Sequence, residues 1–254
     1  MRTQEKRATR FRSIQTSLLF VIVPAVIISM AVLSLMGYLS SKAIIQTSAG
    51  NEMSQCLSVA MGSIEMSLSN NRMVAETMAR GVEAVQRQAV KGEQTASDWD
   101  AAAYQEILTS FVESNPETFG GGIWFEPYQY RPEQRYFSPY CMRQNGAVTY
   151  VDNYSLGEGV YYTDQDWYTN AANTTQKSVW SAPYYDEFAQ ISMVTSSAPI
   201  YDETGRLLGV ATADIDLTQM QQMVLSLDVV ANGRAFLIDD TGVYIADEDS
   251  EKLL

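Results

Sequence analysis

The chain has 254 residues, of which 46% are apolar and 19% charged, enough to bury a core in one large or two small domains. It contains no His, which excludes Ser–His and Cys–His nucleophile pairs, imidazole bases and His-ligated metals. An excess of 30 Asp+Glu over 17 Lys+Arg argues against a nucleic-acid partner.

Charge is unevenly spread. Residues 1–42 hold Arg2, Lys6, Arg7, Arg10, Arg12 and Lys42 against Glu5 alone, so the whole acidic excess lies beyond. Ser13 to Ser41 carries no charge, and Leu18 to Leu39 is dense in Leu, Ile, Val, Met and Ala. As a helix this stretch extends roughly 43 Å, against the ~30 Å a bilayer core requires. Pro24 is tolerated in such a span. The basic residues ahead of it place the N-terminus in the cytoplasm and residues after about 42 outside the cell. A cleaved signal peptide is the alternative, but its apolar run is usually only about 7–15 residues.

Residues 43–90 read as one long helix. Met53, Leu57, Ala60, Ile64, Leu68, Ala75, Met78, Val82, Val85 and Ala89 recur near a 3.6-residue period. It is either a stalk or a helix packed along a sheet, and both can hold at once. Gly92 to Asp98 is a polar break. A helix restarts over Trp99–Glu113, with Ser97 or Asp98 as its cap, and Pro116 ends it.

From Gly120 the pattern turns to strands. Ile123-Trp124-Phe125 is a short apolar run. Segments 135–143 and 147–153 flank Gln144-Asn145-Gly146, a hairpin signal. Asp164 to Asn173 reads as a helical turn that Asp164 caps. Strands 191–201 and 206–215 surround Asp202-Glu203-Thr204-Gly205, and helix 217–227 follows with Asp216 as its cap. A second strand–turn–strand surrounds Asp239-Asp240-Thr241-Gly242, where Asp240, like Asp202, reads as a turn residue. That repeat implies the start of a related second module, which the chain's end cuts short. Asp247, Glu248 and Asp249 read as a solvated turn. Cys56 and Cys141 are too few for a Cys-rich metal site, and whether they pair is open.

The order of span, long helix and aromatic-rich antiparallel sheet resembles the double Cache (PAS-like) sensor domain. The likeness is carried by Asp166-Trp167-Tyr168-Thr169-Asn170-Ala171 and by Trp180-Ser181-Ala182-Pro183-Tyr184-Tyr185-Asp186. Met193-Val194-Thr195 through Pro199-Ile200-Tyr201-Asp202 to Gly209-Val210 and Asp214-Ile215 adds to it. The N-terminal part is similar to methyl-accepting chemotaxis proteins. The resemblance implies an α+β fold, with a transmembrane helix and a long stalk helix packed on a PAS-like sheet and the start of a second Cache module. Its divisions are 1–12 cytoplasmic, 13–41 span, 42–92 stalk, 93–228 membrane-distal module and 229–254 start of a membrane-proximal module. It further implies signalling to a cytoplasmic chemotaxis kinase and adaptor through C-terminal domains beyond Leu254, and the apolar stripe of the long helix, exposed in a monomer, implies a homodimer. The same ectodomain also precedes histidine kinases, diguanylate cyclases and phosphatases. A structural surface protein and an extracellular hydrolase are weaker alternatives.

Amino-acid sensors of this family carry an Arg two residues before a Trp-Tyr pair, a further aromatic and a late-strand Asp. Here Trp167, Tyr168 and Asp214 match, Tyr184 or Tyr185 supplies the aromatic, Asp186 a second carboxylate, and Tyr162 an adjoining ring. Gln165 stands in the Arg position, so the bidentate hold on a ligand carboxylate is missing there. Aromatic faces with carboxylates make a box for an ammonium group. The expected ligand is therefore an amine, or an amino acid if Arg131, Arg135 or Arg143 reaches the site. No catalytic residue, metal or cofactor is expected.

Overall fold

A computed structural model describes residues 14–89, 101–151, 154, 159–227, 233–249 and 252. The chain divides into two compact units, residues 1–55 and 56–254. One helix, α1 (Ile14–Ala89), runs from the first into the second and passes through Pro24 without a break. Residues 14–89 are thus one helical element.

In the first unit the helix presents bare apolar side chains to its surroundings. Leu19, Phe20, Val21, Ile28, Met30, Leu33, Ile44 and Ile45 are all exposed. Burying such a surface in water-excluding surroundings is favoured by about 25 cal/mol per Å², and the stretch is long and apolar enough to cross a membrane.

In the second unit the same helix becomes amphipathic. Val74, Ala75, Met78, Ala79 and Val82 pack into a core with Tyr104, Leu108 and Val112 of α2 (Ala101–Ser114). The proposed caps Ser97 and Asp98 lie outside the described residues. The sheet beneath is antiparallel throughout. Its strands are β1 (Gly120–Phe125), β2 (Tyr140–Gln144), β3 (Ala147–Val151), β4 (Val179–Trp180), β5 (Tyr184–Asp186), β6 (Ile191–Tyr201) and β7 (Leu207–Asp216). The order is β3-β2-β1-β7-β6-β4, with β5 also paired to β6. Asn145 and Gly146 both have positive φ, as a type I′ hairpin between β2 and β3 requires.

Alternation along the strands sorts the two faces. Ile123, Phe125, Cys141, Ala198, Ile200, Ala211 and Ala213 face the helices. Trp124, Tyr140, Met142 and Val210 face the other way, toward Tyr154, Tyr162 and α3 (Asp166–Ala172). A 3-10 turn, Tyr162–Asp164, leads into α3, whose N-cap is Gln165 with no side-chain bond. Asp164 therefore does not cap α3, because the turn consumes it one residue too early.

Asp216 does cap α4 (Leu217–Leu225), accepting from the Thr218 amide at 2.8 Å. Beyond it, β8 (Leu237–Ile238) and β9 (Tyr244–Ala246) form a separate hairpin. Its turn copies the earlier one. Asp202 accepts from the Thr204 and Arg206 amides, and Asp239 from the Thr241 and Val243 amides. Asp239 thus holds the place of Asp202, and Asp240 lies in the turn as expected. Asp247 is buried rather than solvated, and it pairs with Arg234 and Lys252. Both cysteines are free.

Candidate functional site

On the face of the sheet away from α1, two carboxylates meet a set of aromatic rings. Asp214 lies on β7 beside Thr195 of β6 and Gly120 of β1. It is 3% exposed. Tyr140 Oη donates to its Oδ2 at 2.7 Å and Thr195 Oγ1 to its Oδ1 at 2.8 Å. Asp186, at the end of β5, accepts from Tyr154 Oη at 2.5 Å and from the Ala189 amide at 2.7 Å. Tyr184 Oη shares a 2.8 Å hydrogen bond with Thr195 Oγ1. Trp124 donates its indole N–H to Thr212 at 2.8 Å.

These side chains, with Trp167 and Met193, line one hollow of about 10 Å³, room for about one water molecule. Among the described residues no Lys or Arg lines it. Burial, reinforced by the nearby Asp186 charge, raises the Asp214 carboxyl from its usual range to about 7, although the Tyr140 and Thr195 hydroxyls pull the other way. Burial likewise pushes the Tyr140, Tyr154 and Tyr184 hydroxyls far up, so they stay protonated as donors.

The Gly120-Gly121-Gly122 run makes this packing possible. A Cβ at Gly120 would sit 2.1 Å from Tyr140 Oη, and one at Gly122 would sit 2.8 Å from the same ring. The Tyr140 ring crosses β1 where that strand has no side chains. On the opposite face, a Cβ at Gly121 would press on Met78 of α1. The triplet is therefore the first half of β1.

Of the residues singled out from sequence, Trp167, Tyr184, Asp186 and Asp214 share the hollow. The others lie elsewhere. Tyr162 is buried behind Trp124 and donates to the Phe125 carbonyl at 2.5 Å. Tyr168 is buried and donates to Glu126 Oε1 at 2.7 Å, on the rim of a separate surface groove. Tyr185 is 51% exposed, and Gln165 is half-buried, reaching back to the Tyr161 carbonyl at 3.4 Å. None of the three arginines lines the hollow. Arg143 bonds to the carbonyls of Val112, Asn115 and Thr118 at the end of α2. Arg131 lies over Tyr130, and Arg135 over Tyr136 and Tyr161. Trp124, Tyr140, Tyr154, Thr195 and Thr212 were not singled out. Alternation offered a signal for Thr212, which shares the face of Asp214 two residues along β7.

Residues 104–222 match the family model of the methyl-accepting chemotaxis protein-like first PDC sensor domain. An 84-residue stretch is 38% identical to the methyl-accepting chemotaxis protein McpC of Bacillus subtilis (strain 168), covering 33% of this chain and 13% of that one. The chain thus spans a small part of the curated relatives it matches. The ligand-binding domain of the Pseudomonas aeruginosa PAO1 amino-acid chemoreceptor PctC, solved in complex with GABA, superposes with a TM-score of 0.55 at 18% identity. That match covers 80% of this chain and 78% of the other. The extracellular domain of mmHK1S-Z2, assigned as a histidine kinase, gives a TM-score of 0.60 at 22% identity over 75% and 70% of the two chains. The matched segment is thus similar to chemoreceptor sensor domains, and its fold is the PAS-like fold that those solved domains share.

Proposed function

We propose that this chain is the sensing part of a membrane-anchored chemoreceptor, and that the hollow on the sheet is where it takes a small amine or amino-acid ligand. It is a binding module rather than an enzyme. The observation that carries this reading is the pair of buried carboxylates, Asp186 and Asp214, facing one aromatic-walled hollow that no Lys or Arg lines among the described residues. An ammonium supplies the missing countercharge, with each cation–π contact contributing about 0.5–2 kcal/mol and the carboxylates charge-assisted hydrogen bonds. Trp124, Tyr140, Tyr154 and Thr195 join Trp167, Tyr184, Asp186 and Asp214 in the proposed site. Tyr162 and Tyr168 support its wall from behind, while Gln165 and Tyr185 contribute only if the wall rearranges.

A ligand larger than a water molecule must widen the hollow. The walls that are not sheet interior are α3, which carries Trp167, Tyr154 after β3, and the β5 edge. Their displacement shifts the population of two positions of the long helix. In this reading residues 13–41 span the membrane with 1–12 in the cytoplasm, and the chain beyond about 42 lies outside. Residues 42–92 form the stalk and 93–228 the distal module, and a second module starts at 229. Two copies pair through the stalk, whose Leu57, Val59, Met61, Met66 and Met73 are exposed apolar residues. The signal reaches a chemotaxis kinase and its adaptor through cytoplasmic domains. The McpC match favours this output over a histidine kinase, since the likeness to mmHK1S-Z2 concerns the fold alone.

A thermal-shift screen of the chain in detergent with amines, amino acids and organic acids tests the reading. Saturable stabilisation by amine-bearing solutes, lost in Asp214→Ala, is expected. Stabilisation by acids alone would overturn it.

A further inference from the structure

Resting on the amine reading above, we infer that the ammonium enters the Asp186–Asp214 hollow in exchange for a proton, so the sensor's affinity is set by external pH as well as by ligand. The argument begins with what surrounds the two acids. Asp214 comes from β7, Asp186 and Tyr184 from β5, Tyr140 from β2, and Tyr154 from the segment after β3. The remaining walls, Trp124, Trp167, Met193, Thr195 and Thr212, do not titrate. Among the described residues, every titratable group facing the hollow is therefore an acid or a phenol. Two carboxylates without a cation, in a space that admits about one water, are costly to keep ionised together.

Asp214 is the one that holds the proton. Asp186 is tied to a backbone amide and a phenol at the strand end, whereas Asp214 sits in the middle of the sheet with only two hydroxyl donors. Its carboxyl, raised to about 7, agrees with that assignment. On binding, the Asp214 O–H bond breaks and the proton leaves to solvent. An N–H of the incoming ammonium then donates to the carboxylate. Below the Asp214 pKa the site's net charge is therefore the same before and after binding. The aromatic walls alone would accept any organic cation. Proton exchange adds a demand for N–H donors, which a quaternary ammonium lacks.

The test is calorimetry on the full chain in detergent, titrating propylamine at pH 6 in two buffers of different ionisation enthalpy, then repeating at pH 5 and 8. Release of about one proton per propylamine at pH 6 is expected, with affinity falling about tenfold per pH unit below the Asp214 pKa. Tetramethylammonium should bind at least tenfold more weakly than propylamine at pH 8. Asp214→Asn should abolish the proton release, and Thr195→Val, which keeps the carboxyl, should retain it. Propylamine binding with no proton released and a flat affinity from pH 5 to 8 would overturn the exchange while leaving the amine reading in place. No propylamine binding at pH 8 would overturn both.

Discussion

Tyr140 reaches Asp214 only because Gly120 leaves the space above β1 open. Gly120→Ala sets a methyl 2.1 Å from the Tyr140 hydroxyl, so the ring must move and the hydrogen bond must break. The expected cost is about 1–3 kcal/mol of stability, read by denaturant midpoint, together with loss of amine binding. Asp214 makes a second prediction, about pH. Its folded pKa of about 7 lies above the 3.8 of an ordinary Asp, so between those values the native state holds a proton that the unfolded chain has released. Stability contributed by this group is full below about pH 4 and falls as the pH rises toward 7. Asp214→Asn should flatten that slope. By pH 8 it should recover a difference on the order of 4 kcal/mol, because each tenfold change in proton affinity is worth about 1.36 kcal/mol. Urea melts of both proteins at pH 5 and pH 8 measure it, and parallel profiles would refute the assignment.

At the scale of elements, the second half of α1 is fastened to the sensor module by polar contacts as well as by its core stripe. Asn71 is fully buried and accepts from Thr118 Oγ1 at 2.9 Å. Glu76 accepts from Ser178 Oγ at 2.8 Å, next to β4, and Glu83 from the Tyr201 amide at 3.0 Å, at the end of β6. Asn71→Ala strands the Thr118 hydroxyl in the core, and about 1–3 kcal/mol of destabilisation is expected in a thermal or urea melt. Glu83→Gln retains an acceptor and should be nearly silent in the same measurement. The sequence foretold the helix stripe, the hairpin at Asn145-Gly146 and the Asp216 cap, because each depends on neighbours within a few residues. It could not foretell that Tyr140 crosses the glycine run or that Trp124 and Tyr154 wall the hollow. Those placements follow from β1 pairing with both β2 and β7, partners distant along the chain. The error at Asp164 had a local cause, since a 3-10 turn and an α-helix compete for the same acidic start.

Across the whole molecule, the acidic excess beyond residue 42 surrounds the sensor module with a field that favours cations. Screening at higher ionic strength should weaken amine binding several-fold between about 10 and 150 mM salt, as calorimetry would show. An affinity independent of salt would confine the attraction to the two buried acids. The fold class was legible throughout, because the switch from a 3.6-residue to a two-residue period falls near Gly120. The site was legible in its acids and only partly in its rings, because several rings fold into the walls behind the hollow. Two of the four tryptophans, Trp124 and Trp167, lie with ring centroids 4.7 Å apart on that hollow. Any guest that parts them alters the polarity around both indoles. The hollow thus carries its own optical reporter, and occupancy can be followed by intrinsic emission without a dye or a label.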